Sequence, residues 1–340
     1  MAESVNFSAG HALIIGTGTN EVGNKTNLFK STINDAKWLA DVLKDSSLCA
    51  YPEHQVKLLV GEDATYERIL EELDALKLRV FNSDQQCNVV IFFSGHGKPA
   101  GDKSYLIPYG FRAGDQLTSR AIGGDLLYDK LRAIEGRVLL LLNACYSGSV
   151  MPKLAAGDGV DQEFPDPIMP LNQRHIDRLF NGTGFAYLCA TQPSQNAITG
   201  YSAAATSKRY SAFTLGLAVG FSGRDKDGGH GTVYFSELVS ACVAYVATKT
   251  KHKQRPYFDF RGDNFVVGFH KDGAARLYPL LGDDITFDAD IDNDGEQPAP
   301  PVPSYHYTGA TNTTFNNSSG PAFVGVTNLT GNIDFSHWGH

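Results

Sequence analysis

Two short turns carry side chains whose types and spacing suit nucleophilic chemistry. His96 lies between two glycines in the string SGHG (94–97), and Cys145 lies in the string NACYSG (143–148). A thiol is a strong nucleophile only as the thiolate, and a neighbouring imidazole can take its proton and later return it to a leaving amine. The two turns therefore predict a catalytic Cys–His dyad, with the amides of Gly97 and Cys145 available to hold a developing oxyanion.

Each turn follows a predicted strand. Apolar runs bounded by Gly, Asn or Ser are typical of buried strands, and they occupy 11–18, 55–61, 88–95, 137–144 and 185–191. Segments with helical spacing lie between or after them, at 31–45 (with Ser31 or Thr32 as N-cap), 65–80, 119–134 and 236–250. This alternation predicts an α/β fold with a mostly parallel sheet covered by helices on both faces. In such sheets the functional crevice lies beyond the carboxyl ends of the strands, so both turns are expected on one rim.

Composition excludes several classes of function. The chain has 340 residues, a net charge of −8 and no Lys/Arg-rich run, so neither a nucleic-acid nor a membrane partner is expected. The first residues lack the pattern of a signal peptide, and no apolar run approaches the roughly 20 residues of a membrane span. Five scattered cysteines without a C-x-x-C pair suit a reducing compartment, and we predict a cytoplasmic protein without a metal site. Apart from Cys145, the cysteines are interpreted as small core residues.

The character of the chain changes near residue 285. Residues 1–285 have globular composition, 286–304 form an acidic and Pro-rich linker, and 305–340 are a low-complexity tail rich in Asn, Thr and Gly. Two interpretations of the tail stay open: a disordered segment, or a β-assembly motif for self-association or recruitment.

The two turns resemble the paired signatures of the caspase-like cysteine peptidases, and specifically of metacaspases. The string NACYSG is similar to the metacaspase pattern Asp-x-Cys-x-Ser-Gly, with Asn143 in place of the aspartate. Further similarity covers most of 10–270, including the segments 32–43, 186–197, 211–218 and 253–256. The resemblance implies a caspase-like three-layer sandwich. It also divides 1–285 into a large-subunit-like part (about 1–151), an exposed linker (about 152–172) and a small-subunit-like part (about 173–285).

The resemblance also implies roles for single residues. Cys145 would be the nucleophile and His96 the general acid/base of an endopeptidase in a regulated, cell-death-like or defence pathway. The positions that match the acidic S1 pocket of metacaspases are Thr32, Asp35, Ser94 and Asn143. Asp35 alone can attract a basic P1 side chain, since a charge-assisted hydrogen bond is stronger than a neutral one. Cleavage after Arg or Lys is therefore expected, while the amide of Asn143 leaves room for a neutral or relaxed preference.

Calcium, which many metacaspases need, is not supported here. The acidic clusters that the family places after the histidine and the cysteine are missing, with only Asp102 nearby, and we expect no cofactor. The string Asp290–Gly295 imitates the start of an EF-hand, but Pro301 stands where the bidentate Glu belongs, so an acidic linker is the preferred interpretation.

Two further hypotheses complete the sequence-based account. Self-cleavage after Lys153 or Arg174 and an uncut linker are equally compatible with the sequence. The alternative to a protease of protein or peptide substrates is a catalytically weak or inactive caspase-like adaptor whose tail mediates assembly. A nucleotide-binding protein is disfavoured because no phosphate-binding loop is present.

Overall fold

The computed structural model shows how these segments assemble. It describes residues 7, 9–18, 26–83, 87–100, 103–112, 114–144, 184–191, 197–203, 208–222, 231–261, 264–269, 285–287 and 328–330.

A seven-stranded sheet forms the centre of the molecule. Its strands are β1 (Gly10–Gly16), β2 (Val56–Val60), β3 (Asn88–Ser94), β7 (Arg137–Asn143), β8 (Phe185–Cys189), β12 (Tyr257–Arg261) and β15 (Asn328–Thr330). They lie in the order β15-β12-β8-β7-β3-β1-β2. The five strands from β2 to β8 are parallel, while β12 and β15 add in antiparallel fashion. The predicted mostly parallel sheet is confirmed, as are the five predicted strand segments.

Shorter strands form three small sheets beside the central one. They are β4 (His96–Ala100), β5 (Lys103–Ile107), β6 (Ile122–Gly123), β9 (Tyr201–Ala203), β10 (Arg209–Tyr210), β11 (Thr232–Tyr234), β13 (Val266–Phe269) and β14 (Ile285–Phe287). The order β4-β5-β6 is one such sheet, and it begins at the candidate catalytic histidine.

Helices surround the sheet. The described ones are α1 (Thr26–Lys44), α2 (Tyr66–Phe81), α3 (Leu117–Arg120), α4 (Gly124–Leu131), α5 (Ala212–Ser222) and α6 (Phe235–Lys249). Strands β1 and β8 are buried along their whole length, as are β3 and β7 beyond their first residues. Because successive strand residues point to opposite faces, this continuous burial confirms that both faces of the sheet are covered.

Two of the predicted helices differ from the structure. Ser31 and Thr32 are not N-caps but buried residues inside α1, which begins at Thr26; Thr32 Oγ1 instead accepts a hydrogen bond from the Gly18 N–H at 3.0 Å. The predicted helix 119–134 is broken, because Ile122 pairs with Leu106 in β6 and the glycines that follow weaken a helix. A short-range pattern cannot reveal this pairing with a distant strand.

The four other cysteines confirm their predicted role in the core. Cys49, Cys87, Cys189 and Cys242 are buried and free. Burial raises the pKa of the thiols of Cys49, Cys189 and Cys242, so these three groups stay protonated and unreactive.

Helix α5 is buried on every side. Its glycines allow close approach of α6: a Cβ added to Gly216 would lie 2.8 Å from Val246 Cγ2, and one added to Gly220 would lie 2.6 Å from Leu238 Cδ1. This tight pair brings the N-terminus of α5 to the rim of the central sheet. None of the helices that the structure describes is long and apolar enough to cross a bilayer.

Candidate active site

The carboxyl ends of three neighbouring strands form the rim on which the site is built. Gly16, Ser94 and Asn143, the last residues of β1, β3 and β7, are aligned in register. Backbone hydrogen bonds continue past the strand ends, from the Thr17 N–H to the Ser94 oxygen (3.0 Å) and from the Gly95 N–H to the Asn143 oxygen (3.1 Å). The turns that carry His96 and Cys145 therefore start from neighbouring, hydrogen-bonded positions.

Gly95 has a packing role that the sequence did not reveal. A Cβ built there would lie 2.4 Å from Thr17 Oγ1 and 3.0 Å from the Phe93 ring, closer than real side chains allow. This glycine lets the turn before His96 pack against the end of β1.

His96 begins β4, where it pairs with Ile107 of β5. The ring is partly buried, and desolvation lowers its pKa below the ordinary value of a histidine. The imidazole is then neutral at neutral pH, which is the form that can accept a proton. Gly97 follows in β4 opposite Leu106. Cys145 lies outside the described residues, as do the linker 152–172, Lys153, Arg174, Asp102 and the string 290–295.

Asp35 lies on α1 and is fully buried beside the rim. Ser94 Oγ donates to Asp35 Oδ2 at 3.0 Å, and Asn143 Nδ2 donates to the same oxygen at 2.9 Å. Desolvation raises the pKa of Asp35 to about 6, although hydrogen bonds from neighbouring groups oppose this rise. Three of the four predicted S1 residues are thus brought together. Thr32 lies one turn earlier on α1 and contacts Gly18 instead.

Two residues of this cluster were missed by sequence reasoning. The Ser211 N–H donates to Asp35 Oδ1 at 3.0 Å, and the hydroxyl of Thr214 also hydrogen-bonds to Asp35. Ser211 precedes α5 and its Oγ accepts the Thr214 N–H at 3.0 Å, which is the geometry of an N-cap. A serine directly before the largely apolar segment 212–221 was the available signal for the cap. Its contact with Asp35 is not local and left no trace in the sequence.

The amide of Asn143 is held in one orientation. Its Nδ2 lies 2.9 Å from each of three acceptors: Asp35 Oδ2, Ser94 Oγ and Ser211 Oγ. A flipped amide would place its oxygen against the carboxylate, which accepts hydrogen bonds and does not donate them when ionised. Asn143 Oδ1 is buried and has no donor among the described residues. A buried acceptor without a donor lowers the stability of the fold, so its presence here points to a role of Asn143 Oδ1 in the function of the site.

The electrostatics of the cluster favour a positively charged or hydrogen-bond-donating ligand. Asp35 carries the only acidic group in this network, and in the described part of the chain no Lys or Arg forms an ion pair with it. Across the described residues, no three His, Cys, Asp or Glu side chains converge as a metal site would require.

The comparisons with known proteins point to one family. Residues 9–264 match the family described as caspase domain. The chain belongs to the caspase-domain family. The fold class predicted from the sequence is thereby confirmed. The family includes cysteine peptidases. Membership does not distinguish metacaspases from other branches.

Two solved structures match this chain at low sequence identity. A protein of Geobacter sulfurreducens is 15% identical with a TM-score of 0.47, covering 75% of this chain and 94% of its own. Caspase-1 from Spodoptera frugiperda is 14% identical with a TM-score of 0.40, covering 74% of this chain and 86% of its own. No curated protein matches the sequence.

Proposed function

We propose that this protein is a cysteine endopeptidase that uses Cys145 as nucleophile and His96 as general acid/base. One observation carries the proposal: Ser94 and Asn143 are register partners on adjacent parallel strands, and each candidate catalytic residue follows two positions later. Adjacent strands lie about 4.8 Å apart, so this alignment starts both turns within reach of each other.

The reaction needs only these two side chains and backbone amides. The Cys145 sulfur bonds to the scissile carbonyl carbon as its proton passes to His96, and amides such as those of Gly97 and Cys145 hold the oxyanion. The carbon–nitrogen bond then breaks, and His96 gives the proton to the leaving amine. Water attacks the resulting thioacyl intermediate and yields its proton to His96. The carbon–sulfur bond breaks, the peptide acid leaves, and the thiol regains its proton.

The Asp35 cluster supports a basic P1 residue. A buried carboxylate without a described cationic partner attracts Arg or Lys, and Asn143 Oδ1 offers a further acceptor. One carboxylate in place of two lowers the charge of such a pocket, so a neutral hydrogen-bonding P1 side chain is the competing substrate.

The resemblance to metacaspases also motivates the proposal of cytoplasmic action in a regulated, cell-death-like or defence pathway, without a cofactor.

A mechanism-based probe tests the proposal. A peptidyl acyloxymethyl ketone with Arg at P1 should give one covalent adduct, which peptide mapping should assign to Cys145. The Cys145→Ala variant is the control and should remain unlabelled, because the four other cysteines are buried. His96→Ala should slow labelling strongly. Adducts spread over several cysteines, or none in the wild type, would contradict the proposal.

A further inference from the structure

We propose that Ser211 is a positioning residue that sets the P1 selectivity of this protein. The inference rests on the proposed function, because it assigns the Asp35 cluster to the reading of the P1 side chain. Ser211 contacts two members of that cluster: its N–H donates to Asp35 Oδ1 at 3.0 Å, and its Oγ accepts from Asn143 Nδ2 at 2.9 Å.

The hydroxyl of Ser211 restrains the amide of Asn143. An amide nitrogen has two hydrogens, and here they are shared among Asp35, Ser94 and Ser211. With Nδ2 held by three acceptors, Oδ1 is turned away from the network and keeps no described donor. Without the Ser211 hydroxyl, one of these restraints is lost and the amide gains freedom to rotate.

Ser211 is itself held rigidly. Its Oγ accepts the Thr214 N–H at 3.0 Å and donates to Thr214 Oγ1 at 3.1 Å, so the serine is fixed to the first turn of α5. Both Ser211 and Thr214 are fully buried. A hydrogen bond to a carboxylate in such a water-excluded place is stronger than one at the surface.

The contact links distant parts of the chain. Asp35, Ser94 and Asn143 precede the predicted linker, whereas Ser211 follows it and lies 176 positions from Asp35. Selectivity for the P1 residue would therefore depend on how α5 packs against the rim, and not on Asp35, Ser94 and Asn143 alone.

Binding to an inactive protein tests this inference without relying on catalysis. In the Cys145→Ala background, fluorescein-labelled peptides Gly-Gly-Arg and Gly-Gly-Asn are titrated and their dissociation constants measured by anisotropy. We expect the Arg-over-Asn preference to fall by up to about tenfold in Ser211→Ala, because the backbone N–H bond to Asp35 remains while the hydroxyl that restrains the Asn143 amide is lost. Ser211→Thr keeps a hydroxyl and should retain most of the preference.

Ser222→Ala is the matched control. Ser222 is a buried serine at the other end of α5, and its hydroxyl donates to the Val219 oxygen at 2.7 Å without contacting Asp35. Ser222→Ala should leave the peptide preference unchanged. An equal loss in Ser222→Ala and Ser211→Ala would reduce Ser211 to a structural residue and overturn the inference.

The outcomes separate this inference from the proposed function. If the wild type hydrolyses peptides but Ser211→Ala keeps the Arg preference, the inference alone fails. If the wild type hydrolyses nothing yet Arg binding depends on Ser211, the proposed protease fails and the inference holds. No preference for Arg in the Cys145→Ala protein with Ser211 intact would overturn the inference directly.

Discussion

At the scale of single residues, the unusual feature is a carboxyl group buried without a described cation beside it. Asp35 keeps its charge through hydrogen bonds from Ser94, Asn143 and Ser211, yet desolvation still raises its pKa to about 6. A carboxyl group with this pKa changes charge near physiological pH.

The raised pKa of Asp35 predicts a pH-dependent substrate preference. Because the folded-state pKa is raised, Asp35 is anionic above about pH 6 and becomes neutral as the pH falls through that value. The ratio of kcat/KM for Arg over Asn at P1 should therefore be highest above pH 6. Below that value, it should fall by up to about tenfold per pH unit. Measuring the ratio cancels the titration of His96 and Cys145, which both substrates share.

Asp35→Asn is the control for this profile. Its Arg-over-Asn ratio should be low and flat with pH, because no charge is left to titrate. A wild-type ratio that stays constant from about pH 5 to about pH 8 would show that Asp35 does not read the P1 residue.

Sequence reasoning recovered part of the site for a definable reason. His96 follows a strand whose apolar run stops abruptly in polar residues, so a local pattern marks it. Asp35, Ser94 and Asn143 were assigned to an S1 pocket only through the resemblance to metacaspases. Ser211 reaches Asp35 only through the packing of α5 on the rim. Likewise, the contact between Gly95 and Thr17 depends on the register of β1 and β3. Such contacts between distant segments lie beyond what periodicity can predict.

At the scale of elements, the pair α5 and α6 holds the N-terminus of α5 in place. The two glycines of α5 have no room for a side chain, and a Cβ on Gly220 would also lie 3.0 Å from the Leu238 carbonyl oxygen. Backbone atoms cannot move aside as a flexible side chain can, so the helices themselves would have to separate.

Gly220→Ala is therefore expected to destabilise the fold. Overpacking costs about 1–3 kcal/mol, which outweighs the gain of up to about 1 kcal/mol in helix propensity. Urea denaturation should show a lower free energy of unfolding. Leu78→Ala on the exposed side of α2 is the control and should change it by less than about 0.5 kcal/mol. A Gly220→Ala protein as stable as the wild type would refute the tight packing of α5 on α6.

The elements show why sequence patterns succeed for strands and fail for helix starts. All five predicted strands were confirmed because a buried parallel strand must be apolar on both faces. The predicted start of α1 was wrong because the polar residues Ser31 and Thr32 resemble helix caps, although both are buried within the helix. The prediction of one continuous helix over 119–134 was wrong because Ile122 and Gly123 pair with β5.

At the scale of the whole molecule, the two edges of the central sheet differ. One edge is β2, and the other is the short strand β15, in which Asn328–Thr330 pair with Asp259, Phe260 and Arg261 of β12. Tail residues thus pair with the edge of β12, which would otherwise present unpaired backbone groups. Exposed edges promote association with other chains.

Removal of residues 305–340 is expected to increase self-association. The molar mass from light scattering after size exclusion should rise with concentration more steeply than that of the full chain. Leu329→Pro offers a matched variant, because it keeps the tail but removes a backbone donor from the strand opposite Phe260. Weaker association after truncation would instead favour the tail as the assembly element.

The central claim is that the aligned ends of β3 and β7 present a working Cys–His dyad. The most direct measurement is hydrolysis of fluorogenic peptides with Arg, Lys, Asn, Asp and Leu at P1 by the wild type and by Cys145→Ala. We predict cleavage that is strongest after Arg or Lys and is abolished in the variant. Cleavage that survives in Cys145→Ala, or no cleavage of any peptide by the wild type, would contradict the account; the second result would favour the adaptor function.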